Sequence, residues 1–106
     1  LKGWKKIIDK LYRELEPYDV TIDGIKEKWG TLRIRFSIDP GSDKENEISD
    51  RKRRAEDESS EICEGCGAPG WLVRVKLGNE CQRLKTLCPL CMEKAEQKGI
   101  AFLDEL

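Results

Sequence analysis

The sequence predicts a small α+β domain in which a helix, a β-hairpin and a charged helix lead into a ββα unit stapled by cysteines. Three observations carry this expectation. Apolar residues recur at helical spacing near the start and at strand spacing between positions 18 and 38, and two C-x-x-C pairs frame a further strand-like stretch. The 106 residues suit a single domain over 1–106, read as an α-β-β-α part over 1–62 and a stapled ββα part over 63–106. With 38% hydrophobic and 39% charged residues the core is small for the surface it must hold, so a staple is expected to help.

The first helix is predicted from Trp4, Ile7, Ile8, Leu11 and Leu15, which fall on one face at a period near 3.6. Pro17 stops it. On the outer side Lys10 with Glu14 and Asp9 with Arg13 stand four apart, where such pairs contribute about 0.2–0.5 kcal/mol each. The apolar face is expected to lie on a sheet as a lid.

From Tyr18 to Ile38 the period falls to two. Val20 and Ile22 alternate with Thr21 and Asp23, and Leu32, Ile34, Phe36 and Ile38 alternate with Arg33, Arg35 and Ser37, which reads as a β-hairpin. Trp29-Gly30 is the natural turn, because glycine takes the positive φ that tight connections require. Lys26, Lys28, Arg33 and Arg35 against Glu27 leave 26–36 at +3. These four bases and Trp29 form a candidate surface for a protein partner; the alternative is that Trp29 packs beneath the first helix.

Asp39-Pro40-Gly41-Ser42-Asp43 is turn chemistry, and a helix is expected from about Glu45 to Ile62 with a thin stripe of Ile48, Ala55 and Ile62. Its charge is blocked. Residues 39–50 sum to −4, Arg51-Lys52-Arg53-Arg54 to +4, and Glu56 to Glu61 to −4. Such blocks satisfy one another through neighbours three and four apart and form a solvated face; the sharper reading of Arg51 to Arg54 is a phosphate-binding patch.

Cys63-Glu-Gly-Cys66 and Cys88-Pro-Leu-Cys91, with 21 residues between them, have the spacing of a four-thiolate zinc site. Each C-x-x-C turn converges two sulfurs on one ion while turn amides point at them. Gly67 suits the sharp return of the first turn. Between the pairs, Trp71 to Leu77 and Cys81 to Leu87 read as a second hairpin joined by Gly78-Asn79-Glu80. Pro89 places Cys88 and Cys91 at a helix N-terminus, where the helix dipole favours thiolates. Gly99 ends that helix, and Ile100, Phe102 and Leu103 form an apolar tail expected to dock on the core. Knuckle, hairpin and ligand-bearing helix together describe a treble-clef or zinc-ribbon unit with one structural Zn2+ per chain. A redox pair lacks the βαβ setting it needs, paired disulfides suit a secreted chain, and rubredoxin-like iron binding meets Met92 where a glycine is usual. Cys81 reads as a small buried apolar thiol, with a reactive thiol or spare ligand as the alternative.

Twenty basic and 21 acidic side chains give a net charge of −1, which excludes a strongly basic nucleic-acid binder and leaves only local basic surfaces. Four thiolates and one zinc would take the chain to about −3. Arg74, Lys76, Arg83 and Lys85 against Glu80 can offset that site; with Arg51, Lys52, Arg53 and Arg54 they are also the candidates for nucleic-acid contact. A closed shell of four thiolates leaves no position for water or substrate, and the chain has no histidine, phosphate loop or dinucleotide fingerprint. Neither catalysis nor a small-molecule substrate is expected. No membrane span or signal peptide stands out, so a soluble, cytoplasmic protein is expected. The chain opens at Leu1 without an initiator methionine, which leaves room for a processed or trimmed start.

Four blocks carry a resemblance. They are Gly3-Trp4 with Ile7-Ile8, Ile25-Lys26-Glu27-Lys28-Trp29-Gly30-Thr31-Leu32-Arg33, Ile62-Cys63-Glu64-x-Cys66-Gly67-x-Pro69-Gly70, and Thr86-Leu87-Cys88-x-x-Cys91. Together they resemble a group of small uncharacterised zinc-binding proteins of bacteria and their phages, in which the aromatic before the hairpin glycine is more often Phe. The resemblance implies no activity. By analogy it points to a phage-related protein that binds and modulates a host protein, with a nucleic-acid-binding zinc-ribbon regulator as the alternative.

Overall fold

A computed structural model describes residues 2–38, 43–77 and 82–105. A short 3₁₀ turn, Lys2–Trp4, leads into α1 (Lys5–Leu15). The strands β1 (Val20–Lys28) and β2 (Thr31–Ile38) form an antiparallel hairpin, followed by α2 (Glu45–Ser59). After the first cysteine pair come β3 (Trp71–Leu77), β4 (Gln82–Leu87), α3 (Pro89–Gln97) and β5 (Ile100–Glu105). The expected turns at 39–42 and 78–80 and the thiol of Cys81 lie outside the described residues.

The helical face of α1 is buried as its spacing predicts. Trp4, Ile7, Leu11 and Leu15 join Leu32, Ile34, Ile48 and Ala55 in one core, with Ile8 partly buried at its margin. Both helices thus close one face of the hairpin. The outer pairing differs from expectation: Lys10 reaches Glu58 at 3.3 Å and Glu14 reaches Arg54 at 3.1 Å, so these charges tie α1 to α2 rather than to their own helix. Each is a surface pair, worth about 0–1 kcal/mol.

In the hairpin, strict alternation fails at one point. Val20 pairs with Ile38 and Ile22 with Phe36, but the register then slips and Gly24 faces Arg35. This bulge adds one residue and flips the phase, so that Ile25 stands opposite Ile34 on the core face. Lys26, Lys28, Arg33 and Arg35 consequently share the outer face. Trp29 (φ 57°) and Gly30 (φ 80°) make the turn, and positive φ at both positions is the signature of a type I′ hairpin. The Glu27 carboxylate accepts from the Gly30 N–H at 2.8 Å and braces it.

The helix α2 ends at Ser59, three residues before the expected stop at Ile62, which instead bridges Pro69. Its side chains close the outer edge of β2. The Leu32 N–H donates to Ser59 Oγ at 2.8 Å and the Ile34 N–H to Glu56 Oε2 at 2.9 Å. Backbone groups that would otherwise leave an open strand edge are thereby satisfied.

The C-terminal part is a three-stranded antiparallel sheet in the order β4-β3-β5. Its core holds Cys63, Val73, Val75, Leu87 and Cys88. The apolar tail after Gly99 (φ 90°) is a strand on β3, an element that the sequence reading placed only as a docking tail. The side-chain packing of Phe102 and Leu103 lies outside the described residues.

The two parts interlock through the stretch just before and within the first cysteine turn. The Gly3 N–H donates to Glu64 O at 2.9 Å, and Trp4 Nε1 donates to Ile62 O at 2.8 Å. A Cβ on Gly3 would come within 2.0 Å of Cys63 O, so this approach requires glycine. At the hairpin tip, Thr86 Oγ1 donates to Gly30 O at 2.7 Å. The Glu64 N–H closes the circuit by donating to Thr86 O at 2.9 Å.

Candidate metal centre

Cys63 and Cys66 lie on a knuckle built by backbone hydrogen bonds. The Cys63 N–H donates to Ala68 O at 2.7 Å and the Gly67 N–H donates back to Cys63 O at 2.9 Å, with Gly67 at φ 87°. The Gly65 N–H points at Cys63 Sγ at 3.4 Å. Cys88 and Cys91 come from the other direction. Cys88 is the N-cap of α3, Pro89 occupies its first turn, and the Cys91 N–H donates to Cys88 Sγ at 3.4 Å. Both sulfurs therefore sit at the positive end of a helix, where negative charge is stabilised.

The four Sγ atoms lie within 4.8 Å of one another, and Cys66 and Cys88 are 3.5 Å apart. That is far beyond the ~2.05 Å of a disulfide, and these four cysteines are free thiols. Four sulfurs about 2.3 Å from one ion in a tetrahedron are roughly 3.8 Å apart. The observed spacing brackets this edge, and the cluster can hold a metal ion. Cys63 and Cys88 are buried, Cys91 is half-buried and Cys66 is exposed, so the site has a wall of protein on one side and a path to solvent on the other.

With thiols alone, charge is shared unevenly. Burial pushes the Cys88 thiol up, but the Cys91 N–H and the neighbouring thiols outweigh it and bring it down to about 7. Burial and the three neighbouring cysteines push Cys91 up to about 12. At Cys66 the Ala68 N–H pulls the thiol down, yet the Cys88 thiol and loss of solvent leave it raised. Cys88 ionises near neutrality, and the crowding of thiols resists ionisation of Cys66 and Cys91. A divalent cation removes that resistance, so binding displaces protons.

Of the basic residues expected to offset the site, Lys85 reaches the knuckle by pairing with Glu64 at 3.0 Å. Arg74 is half-buried on β3, whereas Lys76 and Arg83 are exposed. The run at 51–54 is engaged along α2. Arg53 pairs with Asp50, Arg54 with Glu14, Arg51 donates to Glu47 O and lies over the Tyr18 ring, and Lys52 lies over the Phe36 ring. Each of these four cations has a partner on the protein, while Arg53 and Arg54 stay largely exposed.

Trp29 is 61% exposed and does not pack beneath α1. It lines a cleft of about 160 Å³ with Glu27, Lys28, Gln82, Arg83, Leu84 and Lys85, which unites residues that the sequence assigned to two separate surfaces. Gly24 belongs to the outer face and was not singled out by sequence reasoning. An isolated glycine in an alternating strand was the available signal. No helix among the described residues is long and apolar enough to cross a membrane. No family model matches the chain, and no curated protein or solved structure matches it either.

Proposed function

We propose that this chain is a non-catalytic zinc-stapled module that binds and modulates a protein partner through its first hairpin, in the manner of the small bacterial and phage proteins its sequence blocks resemble. Zinc is the metal that a closed tetrahedron of four thiolates suits best, held by Cys63, Cys66, Cys88 and Cys91. Knuckle, hairpin and helix follow the order of a treble clef. With four protein ligands the ion has no open position and serves the fold. It fixes the knuckle on which Gly3 and Trp4 dock and the strand on which the hairpin tip rests.

The observation that carries the binding role is Trp29. A left-handed backbone costs a side-chain-bearing residue about 1–2 kcal/mol, and this large aromatic gains little burial in return. Its place follows from neither backbone preference nor core packing, and strain of this kind concentrates at functional sites. Exposed tryptophans beside cations are typical anchors of protein interfaces. The test is affinity purification from the native host with nuclease treatment, comparing the wild-type chain with Trp29→Ala. A protein retained by the first and lost from the second supports the reading. Equal retention by both contradicts it.

One feature favours a nucleic-acid-binding zinc-ribbon regulator as a second reading. Trp29 lies beside Lys28, Arg83 and Lys85, and an aromatic among cations can stack a base. Binding to single-stranded DNA at low salt that weakens steeply as salt rises would support it, and absence of binding at low salt would exclude it.

A further inference from the structure

We infer that the open face of the first hairpin carries a socket for one carboxylate side chain of an extended acidic segment of a partner protein. This rests on the reading of the hairpin as the contact surface and names the chemistry that would meet it. The socket exists because of the bulge. Slipping the register sets Gly24 opposite Arg35, and with no side chain at Gly24 the face dips into a cavity of about 230 Å³ lined by Gly24, Ile25, Lys26, Arg33, Ile34 and Arg35. The backbone does not demand glycine there, since Gly24 is not among the positive-φ positions. A Cβ at Gly24 would meet only the Arg35 guanidinium, at 3.8 Å. The missing side chain therefore leaves space that a foreign group can enter.

The charges around that space are free. Among the described residues Lys26, Arg33 and Arg35 have no carboxylate partner, in contrast to Arg53, Arg54 and Lys85, which all have one. The nearby acid on the same face, Asp23, is held by the Ser37 hydroxyl. The Arg35 guanidinium stands at the dip, Lys26 and Arg33 line it on the same face, and guanidinium binds carboxylate with two parallel hydrogen bonds.

A strand edge is available beside the socket. The outer N–H groups of Leu32 and Ile34 on β2 are taken by α2, whereas no described strand pairs with the far side of β1. An extended segment adding to β1 would make main-chain hydrogen bonds along that edge. A glutamate opposite Gly24 on such a segment would stand over the dip and reach Arg35 beyond it. A peptide rather than a nucleic acid is the occupant this face fits, because only a peptide backbone can continue the ladder along the open edge of β1.

The experiment is fluorescence anisotropy on the zinc-loaded full chain with a labelled ten-residue peptide of alternating Glu and Thr. The same peptide with Gln for Glu and an oligothymidylate of equal length serve as competing probes. The Glu peptide is expected to bind at least tenfold tighter than the Gln peptide. Gly24→Leu, which fills the socket without changing charge, is expected to weaken it at least tenfold, as is the surface double variant Arg33→Gln with Arg35→Gln, while Arg53→Gln leaves it unchanged. Circular dichroism and zinc content check the fold of each variant. Equal binding of Glu and Gln peptides, or no effect of either socket variant, overturns the socket. Tighter oligothymidylate binding that survives Gly24→Leu overturns it in favour of nucleic acid. Partner capture that depends on Trp29 but ignores Gly24→Leu would remove the socket and leave the hairpin reading standing. Capture that ignores both would remove the hairpin reading as well.

Discussion

Replacing Gly3 by alanine tests whether the first cysteine turn is also the joint between the two parts of the molecule. Gly3 lies in the 3₁₀ turn and has no positive φ, so by backbone preference alone the change should stabilise the fold by about 0.4–1 kcal/mol. The surroundings reverse the sign. A Cβ would sit 2.0 Å from Cys63 O, 2.7 Å from Glu64 C and 2.8 Å from Glu64 O, all of them backbone atoms with no rotamer to give way. Overpacking of this kind costs about 1–3 kcal/mol. Displacing the turn also breaks the hydrogen bond from Gly3 N to Glu64 O, worth about 0.5–1.5 kcal/mol. The net expectation is a loss of roughly 0.5–4 kcal/mol. In a domain of about this size each kcal/mol lowers the midpoint by roughly 4–8 °C. Thermal unfolding of the zinc-loaded chain by circular dichroism measures it. A midpoint equal to or above that of the wild type would show that no clash between position 3 and the Cys63–Glu64 backbone outweighs the backbone stabilisation.

Three further outcomes follow from the same contacts. Trp29→Asn should raise stability by about 1 kcal/mol, because asparagine tolerates the left-handed turn, while partner binding falls; thermal melts and a binding assay read the two effects separately. Ser59→Ala removes the buried acceptor of the Leu32 N–H and should cost about 1–3 kcal/mol in urea unfolding, whereas an exposed serine such as Ser49 changed to alanine should cost little. Zinc affinity should rise with pH. Cys66 and Cys91 are held above the ordinary thiol value and Cys88 sits near 7, so binding must expel protons that become easier to lose as pH rises. Competition with a chromophoric chelator between pH 6 and 8 should show at least about tenfold tighter binding per pH unit, and a flat profile would contradict the thiolate site.

The elements that local spacing governs were legible in the sequence. Trp4, Ile7, Leu11 and Leu15 announce one helical face, Trp29-Gly30 announces a tight turn, and each C-x-x-C announces a pair of converging thiols, because each of these signals is local; that the two pairs meet across 21 residues rests on their combined ligand spacing. Three features escaped because they depend on distant partners or on a break in pattern. The bulge at Gly24 changes which face Ile25 takes, and simple alternation cannot register an inserted residue. The pairing of β5 with β3 joins segments some 30 residues apart, and a six-residue apolar tail carries no sign of which edge it will find. The need for glycine at position 3 arises from Cys63, 60 residues away, and nothing in its own neighbourhood records it. Seen in space, the four sequence blocks that carry the resemblance meet at this joint. Gly3 and Trp4 dock on the stretch from Ile62 to Glu64, and Gly30 docks on Thr86.

We propose that a metal ion at Cys63, Cys66, Cys88 and Cys91 holds the molecule together. Structural zinc sites of small domains contribute about 10–16 kcal/mol at neutral pH, comparable to the whole stability of a domain this size. The most direct measurement is thermal unfolding of the reduced chain with one equivalent of zinc and again after complete chelation. A cooperative transition with zinc that is lost, or moved far down in temperature, without it is the predicted result. An unchanged transition after chelation would show that the fold does not depend on a metal ion at these cysteines.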